Sequence, residues 1–119
     1  MTRLLAACGA VLAGLGVAAG AFGAHALDDL LSPARMATFD TAAHYQLLHG
    51  LALAFVATRG DALRPAATLL LIGTVFFCGS LYLLVATDVG AFGALAPVGG
   101  GALIVGWALT ARGLWATAT

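Results

Sequence analysis

The chain has 119 residues, of which 62% are hydrophobic and 8% charged, and its five arginines balance five aspartates. A soluble domain carries about 25% charged residues, so a mean hydropathy of +1.05 points away from that class and leaves no room for a separate soluble domain. A net charge of zero, without a basic or acidic run, argues against nucleic acid as a partner and against a polybasic lipid-binding tail.

All ten charges lie between or outside four stretches, residues 4–27, 41–58, 65–87 and 89–111. A helix needs about 20 apolar residues to cross a bilayer, and in lipid its backbone groups must be satisfied within the segment. The expected fold is therefore all-α: a single integral membrane domain over residues 1–119, with four transmembrane helices at about 4–24, 33–58, 65–87 and 94–114 in an up-down bundle.

Helix 1 follows Arg3 and carries a stripe of small residues, Gly9, Ala13, Gly16 and Gly20, which lets a neighbouring backbone approach closely. Arg3, the apolar run and Ala24-His25-Ala26 also resemble a signal peptide with its cleavage site, but the run is long for one, so a retained span is expected. Ser32-Pro33 is a helix start, a capping hydroxyl followed by a proline in the first turn. Helix 2 then ends at Arg59-Gly60-Asp61, and helix 3 opens with Pro65. Helix 4 admits two readings. Pro97, with Gly99 and Gly100, is either a kink inside a span or its first turn; a start near Ala94 with loose packing around these glycines is expected. Cys8 and Cys78 differ in expected depth by about 13 Å, too far for a disulfide.

Arg3, Arg59, Arg64 and Arg112 fall on one side of the predicted bundle and Arg35 on the other. The excess of positive charge predicts that both termini of this multi-pass protein lie in the cytoplasm.

Candidate chemistry concentrates on helix 2. Tyr45, Gln46 and His49 share one face, and His49 stands nine residues past Asp40 and ten before Arg59, near the bilayer midplane. An ionisable group there is a candidate functional site, for which Ser80 and Tyr82 of helix 3 are the available partners. The bland alternative is that His49 and Gln46 simply lock helix packing through interhelical hydrogen bonds. His25, Asp28, Asp29, Asp40 and His44 form a second candidate cluster at the outer side, able to bind a cation or sense pH, with a solvated helix end as the simpler reading. His44 and His49 are five apart and point to different faces, so no metal pair is expected. No nucleophile–base set, phosphate loop or CxxC motif is visible, and no enzyme activity or cofactor is expected.

The run Gly20-Ala-Phe-Gly-Ala-His-Ala-Leu27, Phe39 through Tyr45-Gln46 to His49, Gly79-Ser80-Leu81-Tyr82, Ala96-Pro97 with Gly99-Gly100, and Gly106-Trp107 resembles the small inner-membrane proteins called domain of unknown function 423. The resemblance spans nearly the whole chain in the same order. It implies a four-helix membrane protein without an assigned activity, and its motifs include His25, Tyr45, Gln46, His49, Tyr82, Pro97 and Trp107. The leading expectation is a non-enzymatic structural or accessory membrane component, partnered by lipid and by itself or a larger complex through the glycine-rich faces of helices 1 and 4. The alternative is a small-molecule or ion binding or transport protein centred on His49, Gln46 and Tyr45.

Overall fold

The computed structural model describes residues 1–118 and is entirely helical. Four long helices, α1 (Thr2–Phe22), α2 (Pro33–Ala57), α3 (Arg64–Thr87) and α4 (Ala96–Thr117), are joined by short turns. Three apolar helical stretches are long enough to cross a membrane: Thr2–Leu27, Asp61–Thr87 and Gly90–Thr117, of 26, 27 and 28 residues. Helix α2 falls short of the others in apolarity because His44, Tyr45, Gln46 and His49 interrupt its centre. The molecule measures 51 × 26 × 21 Å, long enough to pass the roughly 30 Å hydrocarbon layer with both ends in the headgroups.

Local chemistry sets the helix ends. Helix α1 passes without a break into a π-helical turn over Gly23–Leu27. Ser32 Oγ accepts the Arg35 N–H at 3.2 Å and Pro33 fills the first turn of α2, where its missing donor is harmless. The α2–α3 connector turns at Gly60, whose φ of 99° lies where side chains are disfavoured. Helix α3 stops at Asp88, which takes a left-handed conformation (φ 56°, ψ 22°). There Arg35 Nε meets Asp88 Oδ1 at 2.6 Å, tying the start of α2 to the end of α3. A 3-10 turn over Gly90–Leu95 precedes α4, which begins at Ala96 rather than near Ala94. Pro97 stands in its first turn, so it starts the helix and does not kink it.

Helix α1 packs along α2, α2 along α3 and α3 along α4. Each of these pairs is antiparallel. Pairing is closest where glycines meet. A Cβ on Gly9 would strike the Ala54 nitrogen and lie 2.7 Å from Gly50 O; one on Gly50 would lie 2.5 Å from Ala13 N. The same crossing recurs between α3 and α4, where a Cβ on Gly99 would strike the Phe77 nitrogen and one on Gly73 would lie 2.8 Å from the Leu103 side chain. Glycine recurs every seven residues along both seams, Gly9 and Gly16 on α1 with Gly23 opening the π-helical turn that continues it, and Gly99, Gly106 and Gly113 on α4. Seven-residue spacing keeps one stripe facing a partner helix over its whole length. Gly16 receives Leu47, Gly23 the Phe39 ring, Gly106 Leu70 and Gly113 Leu63.

The seam corrects part of the expected packing stripe. Gly9, Ala13, Gly16 and Gly99 are buried in it, whereas Gly20 has no neighbour where a Cβ would stand, Gly100 only a loose one, and Pro97 is exposed. The stripe turns inward, so the glycines of α1 and α4 that make close contacts serve the bundle itself. Toward the arginine-bearing end, Leu5, Leu53, Val56, Ala57, Leu63, Ala66, Ala67, Leu70 and Leu103 form the apolar core. Both cysteines are free thiols.

Candidate functional site

Helix α2 turns Phe39, Ala42, Ala43, Gln46, His49, Gly50, Leu53, Val56 and Ala57 inward. The three- and four-residue steps of this face carry Gln46 and His49 into the bundle together, where they are 7% and 4% exposed. A buried amide or imidazole is costly without hydrogen bonds, and both are satisfied. Gln46 Nε2 donates to Leu12 O of α1 at 3.0 Å, and Gln46 Oε1 accepts from the Tyr82 hydroxyl of α3 at 2.7 Å. One side chain thus bridges three helices.

His49 makes the corresponding link to α4. The Trp107 indole Nε1 lies 3.1 Å from His49 Nε2, and His49 Nδ1 lies 2.9 Å from Tyr45 O. An indole N–H only donates, so Nε2 must be the acceptor. The proton therefore sits on Nδ1 and is donated to the Tyr45 carbonyl. Both ring nitrogens are engaged, and the neutral imidazole is the form that fits: an imidazolium would point an N–H at the indole N–H.

Aromatic rings surround this pair. Tyr45 stacks on His49 with centroids 5.5 Å apart and planes 17° apart, and packs against Phe77 of α3 at 4.7 Å. The His49 and Trp107 rings meet edge to face at 6.0 Å, and Phe39 meets Tyr82 the same way at 5.6 Å. Outside the buried hydrogen bonds lies a groove of about 400 Å³, walled by Tyr45 and His49 of α2 and by Ile104 and Trp107 of α4, with Phe77 and Gly100 between them.

The structure brings Tyr45, Gln46, His49 and Tyr82 together and leaves Ser80 out. Ser80 Oγ donates to Phe77 O of its own helix at 2.9 Å, which uses the hydroxyl locally, and Tyr82 reaches Gln46 rather than His49. Trp107 is the partner that sequence reasoning missed. A signal for it existed. Trp107 lies five residues before Arg112, deeper than an interfacial anchor, and an indole N–H there needs an acceptor; His49 is the one at similar depth.

The expected outer cluster does not assemble. His25 lies in the π-helical turn and Asp28 and Asp29 just after it, all exposed, whereas Asp40 and His44 stand on α2 beyond its first turn. Among the described residues, no three His, Cys, Asp or Glu side chains gather closely enough to hold a metal ion. Asp40 and His44 instead edge a groove of about 390 Å³ between α1 and α2, over Gly16 and Gly20.

Comparison with known proteins agrees with this reading of the chain. Residues 19–100 match the family described as protein of unknown function (DUF423). A UPF0382 membrane protein of Staphylococcus epidermidis is 44% identical over 103 residues, covering 83% of this chain and 84% of the relative. The UPF0382 membrane protein YwdK of Bacillus subtilis is 38% identical over 105 residues, covering 83% and 85%. No solved structure matches the chain. An all-helical membrane protein matched by the family over more than two-thirds of its length, this chain belongs to the DUF423 family.

Proposed function

We propose that this protein is a non-enzymatic structural or accessory component of the bacterial inner membrane, crossing it four times with both termini in the cytoplasm. One observation carries the functional part: the polar groups at the heart of the bundle are consumed in joining helices. Gln46 links α1, α2 and α3, and both ring nitrogens of His49 are taken, one by α4. Such interhelical bonds contribute about 0.6 to 2 kcal/mol each, which suits a role in holding a shape.

The fourth crossing is assigned to α2. Gln46 and His49 point inward while Leu48, Leu51 and Phe55 face outward, so much of its outer surface suits lipid although its sequence is the least apolar. The orientation rests on Arg3, Arg59, Arg64 and Arg112, which the antiparallel helices collect at one end, against Arg35 at the other. Lipid surrounds the bundle, and an accessory role implies further protein contact, with other copies or a larger complex. Because the closely packed glycines face inward, that contact falls on the outward side chains of α1 and α4.

The test is native electrophoresis of gently solubilised source membranes, followed by mass spectrometry of the band that contains the chain. A discrete protein assembly, of its own copies or with other chains in fixed ratio, is the expected result. A chain found only as the free 11.9 kDa monomer would overturn the accessory reading.

A further inference from the structure

Three features mark the groove between α2 and α4. Its walls are aromatic: Tyr45, Phe77 and Trp107 line it with the His49 ring between them. Its floor is kept open by glycine. A Cβ on Gly100 would lie 3.8 Å from the Phe77 ring, in ordinary contact, so a larger side chain there would enter the groove without striking backbone. Finally, Tyr45 is 40% exposed, and its hydroxyl has no hydrogen-bond partner among the described residues, whereas Tyr82, Ser80, His49 and Trp107 are all satisfied. A phenol donor in an apolar setting costs free energy until it meets an acceptor.

Depth selects the source of that acceptor. Gly100 stands twelve residues from Asp88 and twelve from Arg112, and Phe77 is thirteen from Arg64 and eleven from Asp88. With α2 and α4 both spanning, the groove is centred in the hydrocarbon layer, beyond the reach of water-soluble solutes. About 400 Å³ falls in the lower part of the range of small-molecule sites, room for one substituted ring.

We propose that this groove binds a lipid-soluble quinone. Its flat ring would lie against Tyr45, Phe77 and Trp107, a ring carbonyl would accept the Tyr45 hydroxyl, and its apolar tail would run out between the lipid chains. The groove is a binding site in this reading; no electron transfer is assigned to it. The inference goes beyond the structural role and rests only on the proposed crossing of the membrane by α2.

Trp107 is a built-in reporter, since quinones quench indole fluorescence. In a Trp115→Phe background it is the sole tryptophan. The protein is placed in phosphatidylcholine nanodiscs and titrated with decylubiquinone. The expected result is quenching that saturates. Gly100→Leu should abolish the saturating part, and Gly101→Leu, where a Cβ meets nothing within 4 Å, should leave it unchanged. Tyr45→Phe should raise the half-saturation concentration roughly tenfold, the value of one hydrogen bond. Quenching that rises linearly and alike in every variant would mean collision in the lipid, with acyl chains occupying the groove, and would overturn the proposal. So would saturable quenching indifferent to Gly100→Leu. Circular dichroism checks that each variant is folded; should Gly100→Leu fail to fold, Tyr45→Phe, which alters one exposed oxygen, decides the matter.

Discussion

His49 and Trp107 form a pair in which each satisfies a need of the other: the indole N–H of the half-exposed Trp107 requires an acceptor, and the buried imidazole supplies one in Nε2. Removing one partner strands the other. His49→Leu and Trp107→Phe should each lower stability, while the double variant should lose less than their sum, with a coupling of about 0.6 to 1.7 kcal/mol. Reversible SDS-induced unfolding in detergent micelles measures the cycle, and strict additivity would remove the hydrogen bond from the account. Gln46→Leu leaves both Leu12 O and the Tyr82 hydroxyl without their partner, and should cost about 1 to 3 kcal/mol in the same assay. Ser80→Ala, which loses only a bond within its own helix, should stay within about 0.5 kcal/mol of the parent. A larger loss there would return Ser80 to the polar site.

Between helices, the decisive contacts are backbone against backbone. At the Gly9–Gly50 and Gly73–Gly99 crossings an added Cβ meets main-chain atoms that cannot swing aside. Gly50→Val should therefore cost about 3 kcal/mol or more, at or beyond the upper end of ordinary overpacking, and read out as loss of the monodisperse peak in size-exclusion chromatography. Gly14→Ala, with nothing within 4 Å of the new Cβ, should be neutral or stabilising, by up to about 1 kcal/mol, because alanine favours the helix. Equal behaviour of the two variants would contradict the seam. By contrast, the Arg35–Asp88 pair is 30% and 77% exposed, and exposed pairs contribute at most about 1 kcal/mol. It marks where α2 and α3 meet more than it holds them.

Taken as one body, the molecule has four arginines at one end and its acidic side chains mostly at the other, which makes the orientation testable with a membrane-impermeant thiol reagent. Asp28→Cys should be labelled in intact spheroplasts, and Asp61→Cys only after the membrane is opened. The reverse pattern would invert the topology, and labelling of both from outside would break the four-crossing arrangement by taking α2 out of the membrane.

Much of the architecture was legible before any coordinates. Charge-free runs mark where a helix can enter lipid, because a bare charge in hydrocarbon is too costly to be placed there casually, and Ser32-Pro33 announced a helix start by its capping chemistry. The three-residue step from Gln46 to His49 put both on one face, since helical geometry is local. Partners across the bundle were harder. Spacing does not tell that Tyr82 reaches Gln46 rather than His49, that Ser80 bonds within its own helix, or that Trp107 meets His49, because which face of α4 meets α2 depends on how the helices turn about their axes. The glycine seam is present in the numbering as seven-residue spacing, yet spacing alone does not separate Gly16, which receives Leu47, from Gly20, where a Cβ would meet nothing within 4 Å. Composition and periodicity thus decided that this chain is a bundle of membrane helices with a polar centre on the second. Folding alone decided which atoms close that centre and which, like the Tyr45 hydroxyl, it leaves open, because hydrogen bonds between helices depend on distances of a fraction of an ångström that no one-dimensional pattern encodes.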